Sequence, residues 1–262
     1  MRFLVIYRCT PRENLKRRPE YYSKRSCLAS FLRAIQGCLP NPEVVFWADG
    51  ELPQSMLAPM STAGEVLPAG RSGIVGSYLS AIDLALERLD DDDLVYLAEE
   101  DYLYLEHAFA ALLAAADALP QASYFGLYAS IIMARSQGFW VDDVLWHTAD
   151  STTHSFAARA GVLRADRRLH ALTFRVGSVH DTELCLAYQG HRPYPWRQLL
   201  TDDRPRRAVG RAWVNGIAWR RGFRPRMLVA AHPALATHVE LPYLAEGTDW
   251  EAVATRERAA VN

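Results

Sequence analysis

Asp90-Asp91-Asp92-Asp93-Leu94-Val95-Tyr96-Leu97-Ala98-Glu99-Glu100-Asp101 reads as a short apolar strand over 94–98 that ends in three consecutive carboxylates. A carboxylate at the tip of a buried strand is costly unless a cation neutralises it. In α/β domains ligands bind outside the carboxyl ends of the strands. Glu99, Glu100 and Asp101 therefore stand where a divalent cation and a phosphorylated ligand can be held. Hard oxygen donors of this kind suit Mg2+ or Mn2+. A solvated acidic turn is the plain alternative.

Outward from this strand, apolar runs and helical periodicity alternate. Residues 3–7 and 44–47 predict two more strands, the first followed by a polar, basic loop over 8–19. Cys27, Leu28, Phe31, Leu32 and Ile35 share one stripe of a helix over 21–37 that Gly37 ends. Residues 51–70 read as a helix start and a loop punctuated by glycine and proline. Ile74, Tyr78, Ile82 and Leu86 recur at intervals of four and predict the core face of a helix over 73–89. A helix over 107–119, stopped by Pro120, and a strand over 123–130 follow. Strand and helix in alternation predict an α/β fold with a Rossmann-type, mostly parallel central sheet and right-handed crossovers. The second half is less regular. It offers a strand passing into a short helix at 155–163, a helix over 182–190, a long loop rich in proline, arginine and tryptophan at 192–207, and a last strand at 227–231. We read 1–262 as one domain, with a ligand-binding half over 1–130 and an irregular half over 131–262.

With 262 residues, half of them apolar, the chain can bury a sizeable core. A formal net charge of −1 argues against a nucleic-acid partner, despite local arginine runs such as Arg204-Pro205-Arg206-Arg207. Cys9, Cys27, Cys38 and Cys185 show no CxxC or zinc-like spacing. With no signal peptide visible, reduced thiols and a cytoplasmic location are expected. No window has the unbroken apolar length of a transmembrane segment.

Four constellations carry chemistry. Asp49 ends the second strand, where a carboxylate can bind a nucleobase or ribose; it also precedes Gly50, as a turn aspartate does. Arg71-Ser72-Gly73-Ile74-Val75-Gly76-Ser77 opens a helix and can bring backbone N–H groups to a phosphate, or can simply be capped by Ser72. In His180-Asp181-Thr182-Glu183, Asp181 is either a helix cap or a general base for an incoming hydroxyl. In Thr237-His238-Val239-Glu240, His238 is a structural imidazole unless it folds back on the acidic triplet, where it can complete a metal site. The other histidines lack HExxH spacing, which argues against a zinc hydrolase.

In order and spacing these features resemble a glycosyltransferase of the GT-A fold, closest to the family-two type. The resemblance runs over about residues 1–190. It comprises the strand ending in Asp49, the glycine-bearing helix at 73–87, the DxD-like Glu99-Glu100-Asp101, and His180-Asp181-Thr182-Glu183-Leu184 with Gly190 beyond. The motif has Glu in place of its first Asp, and His180 stands where the family has Glu. The resemblance implies a GT-A-like sheet with a C-terminal acceptor side. It implies a nucleotide-diphosphate sugar donor, a hydroxyl-bearing saccharide or small-molecule acceptor, and transfer with inversion. It assigns Asp181 as base; Arg8, Thr10, Asp49, Arg71, Glu99 and Glu100 as donor contacts; and Asp101 with His238 as ligands of Mn2+ or Mg2+. The basic loop at 12–18 adds candidate phosphate contacts. Trp196 is the leading candidate for an acceptor contact among Phe139, Trp140, Trp146, Trp213 and Trp219. Two other readings stand beside it. One is a nucleotidyltransferase making nucleotide sugars, although Arg8-Cys9-Thr10-Pro11-Arg12 lacks the expected glycine. The other is a non-catalytic sugar- or partner-binding protein on the same scaffold.

Overall fold

The computed structural model describes residues 1–13, 15–70, 73–129, 131–132, 137–175, 181–201, 204–217 and 224–261. The first half runs β1 (Phe3–Cys9), α1 (Lys24–Gln36), β2 (Glu43–Ala48), α2 (Gln54–Ala63), β3 (Glu65–Pro68), α3 (Gly73–Arg88), β4 (Leu94–Glu99), β5 (Tyr102–Tyr104) and α4 (Ala108–Ala118). Then come β6 (Tyr124–Gly126), β7 (Ile131–Ile132), β8 (Gly138–Val141), β9 (Val144–Ser151), β10 (Phe156–Arg159), α5 (Ala160–Arg175) and α6 (Asp181–Tyr188). The chain closes with α7 (Trp196–Thr201), α8 (Pro205–Ile217), β11 (Leu228–His232), β12 (Ala236–His238) and α9 (Trp250–Val261).

One large sheet runs in the order β3-β2-β1-β4-β10-β6-β11-β9-β7, with β8 paired to β9. The strands β3, β2, β1 and β4 are mutually parallel. All seven residues of β1 are buried, as a strand covered on both faces must be. Period-two alternation sends Phe3, Val5 and Tyr7 into one core with Phe31 of α1 and Phe109 of α4. Leu4 and Ile6 enter a second core with Tyr78 and Ile82 of α3 and Leu163 of α5. Helices thus cover both faces of a mostly parallel central sheet, the α/β architecture read from the sequence.

Two antiparallel pairings shape the rim at the carboxyl ends of the parallel strands. Strand β10 lies against β4 with Phe156 opposite Leu97, so the turn that precedes β10 comes to the tip of β4. Strand β12 lies against β5 with His238 opposite Tyr102 and so stands beside the acidic triplet. That turn contains Thr153 at φ 57°, a left-handed backbone that a β-branched residue adopts only under strain.

Several local expectations need correction. Residues 65–68, expected in a loop, form edge strand β3 against β2. The helix expected to be short after β10 extends to Arg175. The segment expected as one long loop at 192–207 holds α7 and the start of α8, because Pro195 and Pro205 are acceptable at helix starts. Ile74 belongs to no core and is 61% exposed, since α3 has only begun there and Tyr78 and Ile82 make the contact. Trp146 is fully buried as a core residue. Trp219 lies outside the described residues. All four cysteines are buried and free. Among the described residues no helix is long and apolar enough to cross a membrane.

Gly126, at the end of β6, faces the turn that carries Thr152. A Cβ there would lie 2.5 Å from Thr152 Oγ1 and 2.9 Å from the Tyr128 carbonyl oxygen. Gly126→Ala is expected to destabilise the protein by about 1–3 kcal/mol. An unchanged denaturation midpoint for that variant would contradict this packing.

Candidate functional site

The three acids at the tip of β4 leave it in different directions, and each meets its own cation. Glu99 is in register with Arg8 of β1, and Arg8 Nη1 lies 3.4 Å from Glu99 Oε1. Glu100 points to the opposite face, where Lys24 at the start of α1 holds it at 3.0 Å. The Thr10 backbone N–H also donates to Glu100 at 2.9 Å. Asp101 lies in the following turn. Its Oδ2 accepts from Arg18 at 2.7 Å and from Lys16 at 3.1 Å, and lies 3.1 Å from His238 Nε2. The His238 ring stacks on Tyr102 at 5.1 Å.

These neighbours set the protonation states. Burial pushes the Glu100 carboxyl up to about 7, against the opposing pull of the Thr10 N–H and the Lys24 ammonium. For Asp101, burial also acts upward, but His238, Lys16 and Arg18 outweigh it and hold the group well below the usual carboxylate range.

Above the triplet lies a cavity of about 520 Å3. Arg8, Thr10, Asp49, Glu99, Glu100, Asp101, Asp181 and His238 all line it. The structure thus brings together eight positions that are spread from residue 8 to residue 238. Arg71 and His180 lie outside the described residues. Asp49 Oδ2 accepts from the Gly73 N–H at 2.8 Å and caps the approach to α3. Thr10 Oγ1 donates to the Asp49 carbonyl at 3.2 Å and ties the tips of β1 and β2. Trp196, expected at the acceptor side, is exposed on α7 and does not line the cavity. Tyr128 and Tyr243 provide the aromatic wall instead.

Sequence reasoning missed His154. Its Nε2 lies 2.6 Å from Asp181 Oδ1, and it lines the cavity. Burial acts to raise the Asp181 carboxyl, but His154, together with His238 and Lys16, more than offsets it and the group is lowered overall. Asp181 is therefore an anion at neutral pH. No spacing in the chain could have paired positions 154 and 181, because the turn before β10 and the first turn of α6 meet only in the folded sheet. The His154 ring packs against Tyr78 at 4.8 Å and Phe174 at 5.0 Å. Arg8 lies over the other partner, Tyr78, at 5.2 Å from its centroid. Tyr78 is itself fixed by a 2.7 Å hydrogen bond between its hydroxyl and His170 Nδ1. Arg8 Nε and Ser151 Oγ are buried without a hydrogen-bond partner among the described residues.

The expected Mn2+ or Mg2+ at Asp101 and His238 does not fit the side chains as they stand. The Lys16 ammonium takes that position, 3.1 Å from Asp101 Oδ2, 2.9 Å from His238 Nε2 and 3.3 Å from Glu240 Oε2. A dication among the same atoms would meet a resident positive charge at contact distance. Among the described residues no group of three or more His, Cys, Asp or Glu side chains is arranged to hold a metal ion. The basic loop at 12–18, expected to reach phosphate, turns Lys16 and Arg18 onto Asp101.

No family model matches the chain, and no curated protein matches its sequence. Solved structures share parts of its path. CMP:2-keto-3-deoxy-manno-octonic acid synthetase complexed with CTP is 12% identical with a TM-score of 0.46, over 99% of this chain and 100% of that one. S. aureus TarS is 11% identical with a TM-score of 0.43, over 84% of this chain and 44% of TarS. A mycobacterial protein is 8% identical with a TM-score of 0.42; it covers 69% of this chain, which spans 63% of that protein's length. Similarity at this level transfers no chemistry.

His170 gives the site's support a pH signature. Burial lowers its imidazole from 6.5 to about 3, so the folded protein holds it neutral. An unfolded chain binds the proton more readily below its ordinary value. Stability contributed by His170 is therefore complete above pH 6.5 and is lost as pH falls toward 3. The loss approaches about 1.4 kcal/mol per pH unit. His170→Gln is expected to melt lower at neutral pH and to show a shallower decline on acidification. Parallel melting curves for the two proteins between these pH values would refute the assignment.

Proposed function

We propose that the cavity is the active centre of a transferase that moves a sugar from a nucleotide-diphosphate sugar to an acceptor hydroxyl. The observation that carries this reading is the pairing of an anionic Asp181 with a cluster of cations across one cavity at the strand tips. Asp181 Oδ would take the acceptor proton as the hydroxyl oxygen attacks the anomeric carbon. The bond from that carbon to the diphosphate oxygen breaks, and its electron pair leaves with the diphosphate. The sugar passes through an oxocarbenium-like state, with inversion. Lys16 and Arg8 offset the charge that grows on the diphosphate, which is the electrostatic role that fixed cations serve best. His154 orients Asp181 and keeps it ionised. Arg8 Nε and Ser151 Oγ supply polar atoms still seeking a partner in the wall. Asp49 and Thr10 line the end of the cavity nearest α3 and are the donor's candidate nucleoside contacts, with Glu99 and Glu100 beneath them.

One observation favours a second reading. The basic loop after β1 delivers Lys16 into the cavity, as a nucleotidyltransferase needs for a triphosphate. The two readings differ in product. Transfer releases a nucleoside diphosphate from a nucleotide sugar, whereas nucleotidyl transfer releases pyrophosphate from a nucleoside triphosphate and a sugar phosphate.

A melting screen with UDP-, GDP- and dTDP-sugars is expected to find one donor that raises the transition, because ligand binding to the native state stabilises it. Asp181→Asn should keep that shift and slow release of the nucleoside diphosphate by about 10²–10⁴-fold. Full activity in Asp181→Asn, or no shift with any nucleotide sugar, would remove the glycosyl-transfer reading.

Because Lys16 holds the cation position, turnover is expected to persist in excess EDTA. Lys16→Ala should weaken donor binding at least about tenfold, the loss of one charge-assisted phosphate contact. Turnover that collapses on chelation and recovers with Mn2+ would show that Lys16 yields its place to a metal.

A further inference from the structure

Two consecutive helices carry their largest apolar side chains into water. On α7, Trp196 and Leu200 are 58% and 84% exposed. On α8, Val209 and Trp213 are 59% and 69% exposed. Both pairs are spaced i, i+4, so each occupies one helix face. The inner side of α8 is firmly attached. Val214 and Asn215 are buried, and Asn215 bonds both the N–H and the carbonyl of Tyr194, at 3.1 and 2.7 Å. No residue of α7 is buried. Lone exposed apolar residues are ordinary, but here two such pairs lie on consecutive helices that pack against each other.

The charge of the same segment indicates what covers that surface. Residues 192–217 contain six arginines, two aspartates, no lysine and no glutamate, a formal +4. The whole chain carries −1, so the remainder carries −5. Arg197 on α7 and Arg206 on α8 are exposed beside the apolar pairs. Tryptophan with aliphatic residues on one side and arginine on the flank is the composition of a helix lying in a bilayer interface. Guanidinium groups bind phosphate oxygens in pairs. A nucleic acid would use the arginines but offers nothing to Leu200 and Val209.

We propose that α7 and α8 form a docking surface for a lipid bilayer with anionic phosphate headgroups. The apolar pairs insert at the headgroup boundary, and Arg197 and Arg206 meet the phosphates. The protein lies on the membrane without crossing it. The surface is separate from the cavity, and this inference stands whichever reaction the cavity performs.

Co-sedimentation of the full chain with vesicles tests it. Binding is expected to vesicles of phosphatidylcholine and phosphatidylglycerol in equal parts, to be much weaker with phosphatidylcholine alone, and to fall as salt is raised. Combining Leu200→Ser with Trp213→Ser should reduce binding at least about tenfold, since both residues leave water only on docking. Its melting temperature should be unchanged. If that variant folds poorly, Arg197→Gln with Arg206→Gln carries the test and should lose the preference for the anionic vesicles. A protein that stays in the supernatant with anionic vesicles, or variants that sediment as the parent does, would overturn the proposal. So would a parent dimer that the apolar variant converts to monomer, because the face would then belong to a second copy of this chain.

Discussion

The structure depends on the neutralisation of three adjacent carboxylates at the end of a buried strand. An ionised carboxylate in such a place is unfavourable by many kcal/mol unless a cation and hydrogen bonds replace its water. Here the pleat distributes the acids among three partners. Glu99 takes Arg8 from the neighbouring strand, Glu100 takes Lys24 from the helix on one face, and Asp101 takes Arg18, Lys16 and His238 from a loop and a distant strand. Each pairing joins a different part of the chain to the same point. Breaking one would take a partly buried carboxylate from its counter-charge and free one part of the chain from this point.

The cavity is then a consequence of sheet topology. Parallel strands put the tips of β1, β2 and β4 on one edge. The antiparallel insertion of β10 reverses the chain at that edge, so the turn before it delivers His154 to Asp181. The antiparallel pairing of β12 with β5 delivers His238 to Asp101. Beneath these, Tyr78 supports both Arg8 and His154 and is locked by a neutral, buried His170. The cavity therefore rests on a floor of fully buried, mutually packed side chains.

A dication and an ammonium answer the same electrostatic demand in different ways. A metal ion brings strong Lewis acidity and demands open coordination positions. The Lys16 ammonium is tethered, monovalent and already hydrogen-bonded, so its charge is available without a loading step. With Lys16 among Asp101, His238 and Glu240, the acidic motif acts as the seat of a protein cation. The carboxylates hold the lysine in place, and the lysine faces the cavity.

Much of this could be read from residues in order. Apolar runs ending in charge specified β1, β2 and β4, and the four-residue spacing of Tyr78 and Ile82 specified the inner face of α3, because burial on one or both faces imposes those periods directly. The acidic triplet, Asp49, Asp181 and His238 were legible as candidates because strand tips and helix starts are where such groups can act. What the linear chain could not reveal were the partners. That Lys16 would take the place expected for a metal, that His154 would meet Asp181, and that Trp196 would face water beyond the cavity all depend on contacts between residues far apart in sequence. Local pattern sets which way a side chain faces its own element. Only the packing of elements, through strand order and direction, sets which charge it meets.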